Sequence, residues 1–279
     1  MELLAIITWD VNPEIFRIGN FAPRWYGVLF ASGFLFGYLI FKRIFKNEGL
    51  KDDLLDKLTI YVAIGVIVGA RLGHCLFYEP SYYLSNPLEI LKIWRGGLAS
   101  HGAAIAVPLV LWFWSRKEKK PFIWILDRIV IVVALGGAMI RLGNLMNSEI
   151  YGVETTLPWG FVFLRNGETV PKHPTQIYES LAYFITFIIL FRIYWRKKGE
   201  FINGLLFSLF LIIVFVFRFF VEFVKEDQVA FEAGMTLNMG QWLSVPFIVL
   251  GVVVLVISLR RHRMQAAKEQ GAGSREQGG

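Results

Sequence analysis

Three arginines, Arg71, Arg141 and Arg218, each interrupt a run that is otherwise apolar. Burying a guanidinium in a bilayer costs on the order of 2.5–3.5 kcal/mol even on a lenient insertion scale, so such a group faces a partner or a wet cavity. Its paired N–H donors match phosphate oxygens, and a phospholipid phosphate is the ligand that several arginines at one depth would suit. Glu222 stands four residues after Arg218, on the same helix face, where it can pair with it. The densest polar stretch runs Arg141-Leu142-Gly143-Asn144-Leu145-Met146-Asn147-Ser148-Glu149-Ile150-Tyr151-Gly152. Asn144 and Asn147 can share a face with Arg141, and two amides, an arginine and a carboxylate make a head-group pocket. The plainer reading is helix-end ion pairing, Arg71–Glu79, Arg141–Glu149 and Arg218–Glu222. His101 follows Gly96-Gly97-Leu98-Ala99-Ser100, small residues that leave room beside a ring able to accept a proton near neutral pH. His173-Pro174-Thr175-Gln176-Ile177-Tyr178-Glu179 opens a helix with a first-turn proline and outward N–H groups that suit an anion, while Glu179 needs a partner. Tyr26 reads by composition as an interfacial tyrosine, and the single cysteine, Cys75, as a small buried hydrophobe.

The elements that must position these groups are membrane helices. Of 279 residues, 55% are hydrophobic and only 18% charged, too few to cover a water-facing surface. The apolar residues come in long runs: Trp25–Phe41, Leu58–Tyr78, Gly96–Trp114, Ile129–Arg141, Ile177–Phe191, Phe201–Phe217 and Met239–Leu259. A span takes about 20 mostly apolar residues, so the expectation is an all-α polytopic protein of seven transmembrane helices. Eighteen of the 29 Lys and Arg fall in one alternating set of connections and seven in the other. By the positive-inside rule this puts the N-terminus outside and the C-terminus in the cytoplasm. The net charge of +7 then expresses topology and attraction to anionic lipid rather than nucleic-acid binding.

Three regions are expected. Residues 1–24, which lack the layout of a cleaved signal, form an outer segment. Residues 25–260 form the membrane domain, with 146–174 as a small outer cap between helices four and five. Residues 261–279 form a flexible cytoplasmic tail. Asp127 and Arg128, at a cytoplasmic helix entry, are expected to snorkel. One cysteine and four scattered histidines offer no metal-ligand spacing, and no cofactor is expected. An anion transporter would need polar groups along the inner halves of several helices, and these are almost entirely apolar.

These blocks, in this order, resemble the bacterial prolipoprotein diacylglyceryl transferase family over the whole chain, from Trp25-Tyr26-Gly27 to Met239-Gly240-Gln241. The resemblance rests on Gly96-Gly97 with His101-Gly102, on Arg141 through Gly152, on His173 through Glu179, and on Arg218-Phe219-Phe220-Val221-Glu222-Phe223. It implies transfer of a diacylglyceryl group from phosphatidylglycerol to the lipobox cysteine of a prolipoprotein, at the outer face of the bacterial plasma (inner) membrane. It further implies functional positions at Tyr26, His101, Arg141, Asn144, Glu149, Gly152, Arg218 and Glu222. On this footing Arg141 and Arg218 hold the phosphate, and Asn144, Asn147, Glu149 and Tyr26 fix the glycerol head group. Glu222 orients Arg218, and either His101 or the arginine field activates the thiol. The chain departs from the family's usual pattern with His74, Ala103, Ser148 and Arg24, the last where many members have His.

Overall fold

The computed structural model describes residues 7–19, 21–93, 96–226 and 235–276. In chain order these form β1 (Ile7–Trp9), α1 (Trp25–Asn47), α2 (Asp52–Phe77), α3 (Pro80–Ser85), α4 (Ser100–Lys117), α5 (Phe122–Met146), β2 (Phe161–Phe163), α6 (Thr175–Lys197), α7 (Leu205–Val221) and α8 (Met239–Glu276). Among the described residues, α1, α2, α5, α6, α7 with its 3-10 extension to Val224, and the Met239–Gln265 part of α8 are long and apolar enough to cross a membrane. The run at 96–114, expected as the third span, falls short of that standard. Its helix begins only at Ser100, contains Pro108 and ends in Arg116 and Lys117, so of its 18 residues only 102–114 are free of polar side chains, too few to cross alone. Large apolar side chains stand exposed along the long helices, Leu35 and Leu39 on α1, Ile60 and Ile64 on α2, Val249 and Val253 on α8. Apolar surface on this scale belongs in lipid, and the chain is a multi-pass membrane protein.

The chain divides into two compact units, Met1–Ile40 with Asp127–Gly279, and Phe41–Leu126. In the smaller unit α2 packs on α4 through Gly65, Gly69 and Gly73, one glycine per helical turn. A Cβ on Gly69 would lie 2.8 Å from the Gly102 carbonyl oxygen, and one on Gly73 would lie 2.6 Å from Gly102 Cα. Small residues at this spacing let two backbones touch where lipid offers no hydrophobic drive. The 79–99 connection returns over this pair and is tied down by Ala99 N–H donating to the Ala70 carbonyl.

In the larger unit, α1 meets α5 at Gly33 and Gly136, and α7 meets α8 where Gly251 faces Leu211 and Ile212. Asp127 is fully buried, and its carboxylate accepts the N–H groups of Gly204 (2.6 Å) and Phe207 (2.9 Å), closing the first turn of α7. Arg128, also buried, stacks over the Phe201 ring. These two charges therefore do not snorkel: the orphan N–H groups of a helix start recruit the carboxylate inward. The α7 start at Leu205, four residues later than the apolar run, has the same cause, together with Gly204 at φ +92°.

The N-terminal segment is part of a small folded element. β1 lies parallel to β2 with Ile7 opposite Phe161 and Trp9 opposite Phe163. Trp9 Nε1 donates to the Leu145 carbonyl, and Trp9, Tyr151 and Ile177 pack around Leu145, Phe161 and Phe163. At the other end, α8 is helical through Glu276, well past the boundary at 260, and residues 277–279 of the expected tail lie outside the described residues.

Candidate active site

In the larger unit one cluster of charged side chains lies at the C-terminal turns of α5 and α7 and the N-terminal turn of α6, with the first residues of α1 and α8 beside it. Arg141, in the last two turns of α5, donates from Nη1 to Asn144 Oδ1 (3.1 Å) and sets Nε against Glu179 Oε2 at 3.0 Å. Asn144 Nδ2 donates to Glu149 Oε1 (2.8 Å), as does Asn147 Nδ2 (3.2 Å). The direct Arg141–Glu149 pair of the plainer reading is not formed; a relay through Asn144 stands in its place. The chain turns back immediately after α5, so that Glu149 N–H donates to the Asn144 carbonyl and the carboxylate faces the amides rather than the guanidinium. Glu149 is exposed and borders a cavity of about 320 Å³, also lined by Asn147, Arg24 and Arg165.

Glu179, one turn into α6, needed a partner and has two. Besides Arg141 it receives Lys225 Nζ at 3.2 Å, and Lys225 is 3.2 Å from Glu222 as well. Glu222 lies 3.6 Å from Arg218 and accepts Asn238 Nδ2 at 3.1 Å. Arg141, Glu179, Lys225, Glu222 and Arg218 therefore form one alternating chain of charge across α5, α6 and the end of α7. Its carboxylates are almost entirely buried, 2% exposed at Glu179 and 7% at Glu222. Arg141 Nη2 donates no hydrogen bond among the described residues, which leaves it open to an incoming anion.

Glycines make room for this cluster at two places. The Tyr26 ring lies against Gly143, where a Cβ would stand 2.7 Å from its Cδ2. Gly240 abuts the Glu222 carboxylate, where a Cβ would come within 2.6 Å of Oε1. Tyr183 lies near Arg218 and packs on Gly137. The sequence reading found Tyr26, Arg141, Asn144, Asn147, Glu149, Arg218 and Glu222, and all belong to this end of the unit. It missed Lys225, Tyr183 and Asn238. The spacing of three between Glu222 and Lys225 is the signal in the sequence that points to this pair.

The base of the folded element supports the same region. Gln176 Nε2 donates to the Glu149 carbonyl, Thr175 Oγ1 to the Ile150 carbonyl and Asn166 Nδ2 to the Ser148 carbonyl. At the start of α6, expected to suit an anion, the chain's own carbonyls take three of the first N–H groups. The N–H of Thr175 donates to the His173 carbonyl, and those of Ile177 and Tyr178 to the Pro174 carbonyl. His173 shares a hydrogen bond with Tyr178 Oη, and burial holds its imidazole below the ordinary value of 6.5. The hydrogen bond from Lys172 to Glu226 pushes the lysine above its ordinary value, and burial raises the Tyr151 phenol.

The smaller unit holds the remaining two candidates. His101, in the first turn of α4, has its ring between those of Phe77 (5.6 Å) and Tyr78 (5.5 Å), and is exposed. Arg71 is corrected: it is not free to hold phosphate. Its guanidinium donates to the carbonyls of Ile90 (2.8 Å), Glu89 (2.6 Å), Gly96 (2.6 Å) and Gly97 (3.1 Å), and lies over the Tyr83 ring. Nor does it pair with Glu79, whose carboxylate sits 3.9 Å from His74 Nε2. A loop that turns through Gly96 and Gly97, both at positive φ, points its carbonyls at one place, and Arg71 fills it.

Residues 13–257 match the family model described as prolipoprotein diacylglyceryl transferase. A phosphatidylglycerol–prolipoprotein diacylglyceryl transferase of Tolumonas auensis is 48% identical over 256 residues, covering 91% of this chain and 98% of that protein. Proteins of the same name are 41% identical in Chloroherpeton thalassium, over 95% of this chain and 99% of that one, and 43% identical in Porphyromonas gingivalis, over 93% and 97%. With the family model and these relatives spanning nearly all of the chain, the protein belongs to the prolipoprotein diacylglyceryl transferase family.

Proposed function

We propose that this protein transfers the diacylglyceryl group of phosphatidylglycerol to the lipobox cysteine thiol of prolipoproteins, the first step of bacterial lipoprotein maturation. The names of its relatives supply both substrate classes. The observation that carries the reading is the tie between Arg141 and Arg218, on different helices, through a single buried chain of ion pairs.

The sulfur attacks the glyceryl carbon that bears the phosphate. A C–S bond forms as the C–O bond breaks, and the electron pair leaves on an oxygen of glycerol phosphate. Arg141, through Nη2, and Arg218 bind that phosphate and stabilise the charge it gathers. Asn144, Asn147, Glu149 and Tyr26 hold the glycerol head by hydrogen bonds, and Glu222 orients Arg218. A free thiol titrates at about 8.5, so it needs a base or a positive field. The resemblance to the family offers His101, whose ring is exposed, as that base.

The site faces outward from the bacterial plasma membrane. The six long apolar helices and α4 together make seven crossings, with the N-terminus outside, the C-terminus in the cytoplasm and residues 146–174 as an outer cap. The skew of Lys and Arg between alternate connections supports this orientation.

Purified protein mixed with phosphatidylglycerol and a lipobox peptide should add one diacylglyceryl mass to the peptide. Arg141→Ala should slow this by about 10²–10³-fold with its melting temperature kept. Near-normal turnover by the folded variant removes the phosphate role. Normal turnover by His101→Gln hands thiol activation to the arginine field.

A further inference from the structure

Lys225 is buried between the two carboxylates that face the arginines. It is 6% exposed, with Nζ 3.2 Å from Glu179 Oε1 and 3.2 Å from Glu222 Oε1. Without it, two buried negative charges would each have an arginine as the nearest cation, and each would draw that guanidinium onto itself. With the ammonium shared between them, Arg141 meets Glu179 through Nε at 3.0 Å, and Arg218 stays 3.6 Å from Glu222. The lysine thereby keeps arginine donors free for a ligand.

Its seat depends on backbone geometry elsewhere. The chain leaves α7 by a 3-10 turn at Glu222–Val224, and Lys225 then pairs antiparallel with Gly152. Val153 N–H donates to the Val224 carbonyl at 3.0 Å. A Cβ on Gly152 would run into that carbonyl oxygen and come within 2.8 Å of both His173 Cβ and Thr175 Cγ2. Backbone and side chains close that space on three sides, so nothing larger than glycine fits without moving residues 224–225. Gly152 also has an ordinary φ, so the requirement is for space and not for conformation.

We infer that Lys225 is a positioning residue for Arg141 and Arg218, and that Gly152 acts on the reaction through it by admitting the 224–225 backbone. The inference rests on the reading that the two arginines take the lipid phosphate. It explains why a glycine with no donor of its own in the ion-pair chain belongs to the site.

The test compares kcat and KM for phosphatidylglycerol in mixed micelles for the wild type, Lys225→Met, Lys225→Arg, Gly152→Ala and the Gly152→Ala/Lys225→Met double variant, each with a thermal melt. Lys225→Met should lower kcat/KM by about 30-fold, chiefly through KM, and Lys225→Arg should recover to within about fivefold of wild type. Gly152→Ala should show the same KM-weighted loss. The double variant should be no worse than the weaker single, because both changes remove one interaction. Should Lys225→Met fail to fold, Lys225→Gln takes its place with the same expectation.

A kcat/KM for Lys225→Met close to wild type, or a fall in kcat alone, overturns the positioning role, and losses that multiply in the double variant overturn the link to Gly152. Arg141→Ala and Arg218→Ala, measured alongside, report on the underlying reading. If both keep the wild-type KM for phosphatidylglycerol, that reading fails, whatever Lys225 does.

Discussion

Arg71, Arg141 and Arg218 break apolar runs in the same way, yet their donors end in different places. Arg71 gives its N–H groups to four loop carbonyls, Arg141 divides its own between an amide and a carboxylate, and Arg218 stands beside a carboxylate and Tyr183. Hydrogen bonds from a charged donor contribute about 1.5–3 kcal/mol each when the partner would otherwise be stranded. Arg71→Ala should therefore destabilise the protein by about 2–4 kcal/mol, read as a lower melting temperature in detergent. Arg71→Lys should recover less than half, since one ammonium cannot reproduce the planar fork. An Arg71→Ala protein that melts like wild type but has lost affinity for phosphatidylglycerol would return Arg71 to the phosphate site. The sequence marks all three arginines as costly, and therefore employed. It does not show which acceptors each will meet, because those of Arg71 come from a loop 18 to 26 residues away.

At the scale of elements, glycine spacing decides how closely helices pack. Gly65, Gly69 and Gly73 present a bare stripe of α2 to Gly102, Ala103 and Ala106 of α4. A methyl group on Gly102 would meet the Gly69 carbonyl oxygen and lie 2.7 Å from Gly73 Cα, backbone atoms that cannot swing aside. Gly102→Ala should cost about 1–3 kcal/mol, as overpacking does, and lower the melting temperature, whereas Ala104→Val on the same helix, at an exposed position, should leave it near wild type. Equal melting of the two variants would mean that α2 and α4 are not held by this contact. The stripe is visible in the sequence as one glycine every four residues. Its partner on α4 is not, because nothing local says which helix will lie opposite. Asp127 teaches the same lesson: at a helix entry it looks like a surface charge, and only the approach of Gly204 and Phe207, 77 and 80 residues on, makes it a buried cap.

For the whole molecule, hydropathy and charge carry most of the message. Long apolar runs have one use in a chain with so few charges, and six of the seven expected spans are helices long and apolar enough to cross a membrane. Orientation is testable with impermeant thiol reagents once Cys75, the only cysteine, is replaced by Ala. Cysteine at Glu154 should be labelled in intact cells, and cysteine at Lys197, at the cationic end of α6, only after permeabilisation; the reverse pattern inverts the topology. The sequence by itself determined the class of protein and the residue types able to handle a phosphate, since these follow from composition, run length and local spacing, while its resemblance to known blocks pointed to the family. Only the tertiary structure decided which charges meet. It put Lys225 between Glu179 and Glu222, gave Glu149 to the amides of Asn144 and Asn147, and turned Arg71 to its own loop. Ion pairing acts over a few ångströms of space, and residues far apart in the chain come within that range only when packed helices bring their ends together.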